Sequence, residues 1–503
     1  MARREWTWTS ALALAGFTAL IAGAQPASAQ NIKVLLTSEF PTLDPSETGG
    51  ELPMVLYHIY CRLYSFNDKM EAVSDLVASE TVSEDQKTWT LKLRPNAKFH
   101  DGTPVDAEAI KFNIDRVLAQ KGSARILFQP ITDVKVLAPD TVALMTKEPY
   151  PALRNNLASP NAGLVSPKAV TALGDRFGVQ PVSCGPYSFA SWTRGTSIQT
   201  SRFDGFYGPK APYAQISFQF VPDVSTRMFL MQRKEADVAL RFGPQEAKEL
   251  QAAKVKVNEI NGRTILYQLN YKLAPTNDLR VRQAINYAVD KEAIIKNVLL
   301  GSGTPSKSVI ASDTFGGRPS GYYEYNPEKA KALLKEAGVT SAKLKLYATQ
   351  NRYYNDGLVG QAIAGYLRAV GLDTEVILMG DWAGYVDRIG KGDFSLYTLS
   401  WGSSTGDPDR IVQALFHSSR AGQTWNFGSF IDKNIDKLIE EGAATVETSK
   451  RLAIYGEIQD KLFADAPWLF MYRTTGYMAL SDKITTIHTL EGPEFPYLFD
   501  LPK

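Results

Sequence analysis

Apolar and polar positions alternate most regularly between Trp89 and Arg94, where Trp89, Leu91 and Leu93 are separated by Thr90 and Lys92. A period of two marks a strand with one buried face. Asp101-Gly102 then supplies a pair that tolerates chain reversal. Asp106 stands at an N-cap position, with Glu108 in the favourable first turn behind it. Ile110, Ile114, Val117 and Leu118 follow on one helical face. Further along, 277–290 predicts a helix whose buried face carries Val281, Ile285 and Ala288. Asn326-Pro327 predicts another helix start, with Gly338 as its stop. Strand (344–347), helix (358–370), strand (374–379), helix and strand (394–401) then follow in turn. Such alternation predicts an α/β lobe with a largely parallel sheet. A late helix over 455–464, a strand over 468–472 and a tail from about Thr474 returning to the first lobe complete the pattern.

The N-terminus has a different character. Arg3 and Arg4 precede an uncharged, mostly apolar run over 11–24, and Ala27-Ser28-Ala29 is a small-residue cleavage site. This predicts a signal peptide over 1–29, a mature chain from Gln30 and a periplasmic address without a lipid anchor, since no cysteine stands at the cleavage site. The mature chain of about 470 residues has room for two or three domains. With 55 basic and 53 acidic residues, nothing suggests a nucleic-acid surface or a polybasic membrane patch. Cys61 and Cys184 form one disulfide in an oxidising compartment or remain two separate buried thiols. There is no G-x-S-x-G elbow, H-E-x-x-H pair or P-loop, and His58, His100, His417 and His488 are scattered singly. The expectation is therefore a protein that is no enzyme and carries no cofactor or metal.

The wording W-T-L-K-L-R-P-N-A-K-F-H-D-G-T-P-V-D-A (89–107) resembles the signature region of the family 5 extracytoplasmic solute-binding proteins. Thr42-Leu43-Asp44-Pro45, Gly185-Pro186-Tyr187, Pro222-Asp223, Glu235-Ala236-Asp237 and the 281–290 helix resemble further family segments, so the likeness covers essentially the whole mature chain. One departure is Lys234, where Gly is usual, which questions the geometry of one turn. The resemblance implies an α/β, periplasmic binding protein-like fold of type II, cluster C, in which two α/β lobes are joined by a hinge and an extra subdomain is added. Lobe I would comprise 30–56, 184–263 and 474–503, the extra subdomain 57–183, and lobe III 264–473. It also implies a monomeric receptor that captures a peptide-like solute and delivers it to ABC permease subunits with cytoplasmic ATPases. An opine, sugar conjugate or nickel chelate is the alternative solute.

Open α/β sheets bind ligands beyond the carboxyl ends of their strands. In the family, the strand ending at Trp401 and the loop after it lie against the ligand, which implicates Thr398, Ser400, Trp401 and Gly402. Peptide binders carry an Asp three residues after that Trp, to meet the α-ammonium; here the position is Ser404. A serine hydroxyl replaces only part of that interaction, so plain unblocked peptides are disfavoured. Asp407 either supplies the missing charge or caps the following helix. The loop's wording resembles that of glutathione-binding members. Trp382 lines a side-chain pocket or lies in the core. Thr48, Gly49, Gly50 and Glu51 occupy the first-lobe contact segment, and Glu51 either meets a cationic group or is a solvated loop charge.

Overall fold

The computed structural model describes residue 1 and residues 30–47, 51–120, 122, 124–312, 314–402, 404–423, 425–490 and 496–502. The signal segment with its cleavage site, and Thr48-Gly49-Gly50, fall outside the described residues. The strand Thr88–Leu93 buries Trp89, Leu91 and Leu93, and it lies second in a four-stranded antiparallel sheet with Val77–Val82, Thr141–Thr146 and Ile131–Ala138. Asp106 Oδ1 accepts the Ala109 amide at 2.9 Å and starts the helix Ala107–Ala119, which buries Ile110, Ile114 and Val117. Local pattern and local structure coincide here because cap, turn and apolar stripe all agree.

Among the described residues a two-stranded ribbon pairs Tyr64–Phe66 with Ala72–Ser74, and the largest sheet has eleven strands. Its order is Leu372–Met379, Ala342–Thr349, Leu396–Trp401, Lys256–Leu269, Trp468–Leu480, Val238–Phe242, Asn31–Leu36, Gln215–Phe220, Ser197–Arg202 and Tyr187–Thr193, with Thr304–Pro305 added to Trp468–Leu480. Ala342–Thr349 is parallel to both Leu372–Met379 and Leu396–Trp401, whereas Leu396–Trp401 is antiparallel to Lys256–Leu269. The two longest strands cross from one lobe to the other side by side. Asn261 pairs with Thr475 and Thr264 with Arg473, three steps against two, which is a β-bulge at Gly262-Arg263. A Cβ on Gly262 would lie 2.0 Å from Thr474 Oγ1, so only glycine fits. Thr474 Oγ1 donates to the Arg263 carbonyl at 3.2 Å and Arg473 Nε to the Gly262 carbonyl at 3.0 Å. The strand expected to end at Tyr472 continues to Leu480; its half-buried middle, Arg473 to Tyr477, breaks the apolar run that would have revealed it.

Alternate side chains of Lys256–Leu269 feed two cores in lobe III. Ile265, Tyr267 and Leu269 face a cluster with Val281, Ile285 and Ala288, while Leu266 faces one with Tyr385, Tyr397 and Trp468. Among the remaining described residues, beside a smaller cluster around Leu35, Met231, Phe242 and Leu250, one hydrophobic cluster runs from Ile32 through Trp89 and Ile114 to Phe218 and Phe499, so residues expected in the extra subdomain and in lobe I share one core. Cys61 and Cys184 are joined there as a buried disulfide, with Cα atoms 5.1 Å apart across 123 residues. Asp237 accepts the Lys33 amide at 2.9 Å and the Ser481 hydroxyl at 2.8 Å, tying the first strand to the returning tail. Lys234 adopts φ of +59°, so the turn keeps the left-handed conformation that glycine favours despite carrying a side chain.

Candidate functional site

Strand Leu396–Trp401 ends beside the bulge, with Trp401 paired to Thr264. A Cβ on Gly402 would lie 3.3 Å from Arg263 Cγ, so the loop leaves the sheet against the bulge side chain. From there the chain passes through Ser404 and Asp407 into the helix Asp409–Phe416. Trp401, Gly402, Ser404, Asp407 and Arg410 line a pocket whose opposite wall is Val309, Ile310 and Thr314. Its volume of about 20 Å³ is room for about one or two waters. A whole peptide does not fit there.

The buried charges of the loop are largely matched. Asp407 receives both terminal nitrogens of Arg451, at 2.6 and 2.8 Å, and its Oδ1 also accepts the Asp409 amide at 3.0 Å. Burial pulls the Arg451 guanidinium down, but Asp407 outweighs it and holds the group above its ordinary range. Asp407 is thus occupied by Arg451 and the helix start. Asp409 accepts from Tyr150 OH at 2.7 Å, and burial followed by the Asp407 charge pushes its carboxyl up to about 6. Tyr150 belongs to the extra subdomain. Asn155 of the same subdomain donates to the Thr405 carbonyl at 2.8 Å, and a Cβ on Gly406, whose φ is +64°, would lie 2.7 Å from the Met70 carbonyl. Residues 405–409 of the loop are therefore held against Met70, Tyr150 and Asn155.

The other expected residues are dispersed. Thr398 is buried, and its carbonyl accepts from Tyr385 OH at 2.7 Å, so it contributes to the core rather than to a ligand surface. Ser400 Oγ accepts from Tyr353 OH at 2.8 Å. Trp382 begins the helix Trp382–Gly390 and lies near-parallel to the rings of Tyr385 and Trp425, at centroid distances of 5.5 and 6.1 Å. The Arg352 guanidinium covers its ring at 3.6 Å. Glu51 is fully buried rather than a solvated loop charge: it accepts the Thr37 amide at 2.6 Å and hydroxyl at 2.9 Å, and Arg241 Nε at 3.0 Å. The cation it meets is the protein's own.

Three cations escaped the sequence reading: Arg263, Arg352 and Arg410. Arg410 Nη1 donates to Ser404 Oγ at 3.1 Å. Burial lowers its pKa from the ordinary value, opposed only by Tyr150. One signal was present in the chain: an arginine directly after Asp-Pro-Asp sits in the first turn of a helix, where the backbone dipole disfavours positive charge. Among the described residues no group of three His, Cys, Asp or Glu side chains could hold a metal ion, and no helix is long and apolar enough to cross a membrane.

The chain is 30% identical to the glutathione-binding protein GsiB of Pectobacterium atrosepticum, over 98% of each chain. Among solved structures, AgaA of A. tumefaciens R10 in complex with agropinic acid is 28% identical, with a TM-score of 0.78 over 90% of this chain and 93% of that one. A dipeptide-binding protein from Pseudoalteromonas in complex with Met-Leu has a TM-score of 0.81 over 94% and 100%, at 20% identity, a likeness of fold alone. Residues 71–423 match the model of the bacterial extracellular solute-binding proteins, family 5, and with that span and these relatives the chain belongs to that family.

Proposed function

We propose that the protein is the periplasmic solute receptor of an ABC importer, capturing a modified or γ-linked peptide between its lobes and passing it, without turnover, to permease subunits driven by cytoplasmic ATPases. One observation carries this reading: the pocket beyond the carboxyl end of Leu396–Trp401 presents Ser404 where an ammonium-binding acid would stand, and Asp407 beside it is engaged by Arg451. A plain peptide's amino group finds no available carboxylate among the described residues that line the pocket. The family relatives named for glutathione, a γ-linked tripeptide, agree with that preference. Closure would bend the two crossing strands at the Gly262-Arg263 bulge, and Tyr150 and Asn155 hold the 405–409 segment in the conformation described.

An opine is the second reading, favoured by the likeness to AgaA with its agropinic acid. Thermal melts and calorimetric titration with glutathione, unmodified dipeptides and agropinic acid test both. Glutathione should raise the melting temperature in proportion to the logarithm of its concentration, and unmodified dipeptides should bind weakly. Tight binding of dipeptides that is lost on N-acetylation would overturn the reading of the Ser404 position. Tight binding of agropinic acid alone would replace the peptide by an opine.

A further inference from the structure

The cations and carboxylates around the pocket are unequally engaged. Asp407 is bound through two nitrogens by Arg451, and Asp409 by the Tyr150 hydroxyl. Arg410 has no such arrangement. Its one hydrogen bond goes to the neutral Ser404 hydroxyl, and among the described residues it pairs with no carboxylate. A guanidinium carries five N–H donors, so most of the fork remains available. The side chain is half-buried and sits in the first turn of the helix Asp409–Phe416, where the backbone also disfavours a cation. A guanidinium with spare donors at a pocket gains charge-assisted bonds when a ligand anion replaces the water around it.

The pocket itself suits the same kind of group. Ser404, Thr264 and Thr314 bring hydroxyls that donate to an oxygen anion, and Val309 and Ile310 provide an apolar flank. A planar guanidinium is the side chain best matched to a carboxylate, which it meets with two parallel bonds. We infer that Arg410 and Ser404 form a carboxylate-binding subsite in the Trp401 pocket, so that the solute places an anion where a plain peptide of other family members places its ammonium. The inference rests on the receptor reading above and narrows its solute class to acids.

Wild-type protein and the variants Arg410→Gln and Arg410→Lys are titrated at pH 7 with glutathione and with its diethyl ester, in which both carboxylates are neutralised. Wild type should bind the acid at least ten-fold more tightly than the diester. Arg410→Gln should lose at least ten-fold in acid affinity and cease to distinguish acid from ester, while Arg410→Lys retains an intermediate preference. The wild-type comparison needs no variant and therefore stands even if Arg410→Gln folds poorly. Equal affinity of wild type for acid and diester, or unchanged acid binding by folded Arg410→Gln, overturns the subsite and leaves the receptor reading intact. If neither form, nor agropinic acid, nor N-acetylated dipeptides raise the wild-type melting temperature, the receptor reading falls and the subsite with it.

Discussion

The Glu51 cluster and the Trp401 pocket both hold charges, and they treat them in opposite ways. In the first, a fully buried carboxylate is answered by an amide, a hydroxyl and an arginine of the same chain. In the second, Arg410 is answered by one neutral hydroxyl. A charge whose hydrogen-bonding capacity is filled from within serves folding, whereas one left with spare donors at a pocket is poised for something outside the chain. Asp407 shows that proximity to the pocket alone does not decide, because Arg451 has already claimed it.

The comparison breaks most visibly at that ion pair. Both side chains are 5% exposed, and Asp407→Ala strands Arg451, so unfolding in urea should show a loss of about 3–5 kcal/mol. A loss below about 1 kcal/mol, on the scale of a surface ion pair, would show that Arg451 is easily rehydrated and that the loop is not held from within. Glu51→Gln should cost less, about 1.5–3 kcal/mol, the worth of hydrogen bonds to a charged group. Solute affinity per folded molecule should not change; a large change would return Glu51 to the ligand.

Asp409 offers a finer test. Its folded pKa of about 6 lies above the ordinary carboxylate value of about 3.9, so protonation favours the folded state. The stability it contributes is full below about pH 4 and lost as pH rises through about 6. Moving from pH 7 to pH 5 should therefore stabilise wild type by about 1 kcal/mol more than Asp409→Asn. Parallel pH profiles for the two proteins would place the Asp409 carboxyl in an ordinary aqueous setting. Ser404→Asp should have the smallest effect on stability, within about 0.5 kcal/mol, because Ser404 is exposed. Its effect should appear in binding, about ten-fold weaker for acidic solutes, for a reason the sequence concealed. The new carboxylate would not be unpaired; it would neutralise Arg410, 3.1 Å from the present hydroxyl.

Local regularities were legible and cross-chain partners were not. The strand, turn and capped helix around Asp106 depend on neighbours in sequence, and the structure follows them to within a residue or two. The alternation of strands and helices in lobe III is likewise present, with the strands at Ala342–Thr349, Leu372–Met379 and Leu396–Trp401. At the site, Trp401, Gly402, Ser404 and Asp407 do line one pocket, because they share a single loop. The fate of Glu51 depends on Arg241, 190 residues away, and that of Asp409 on Tyr150, 259 residues away. No periodicity carries such information. Arg410 is one of 55 basic residues against 53 acidic ones, and it becomes conspicuous only when the acids around it are seen to be taken.

The tie between Cys61 and Cys184 has a topological consequence. The chain leaves and re-enters lobe I at adjoining points, where the Gly185 amide also donates to the Ile59 carbonyl at 3.0 Å. Everything between is closed into one ring, yet its inner face is packed into the same core as the strands Asn31–Leu36 and Gln215–Phe220. The ring therefore tolerates changes of length at its exposed loops, whereas exchange of the whole segment would require the sheet beneath to be repacked.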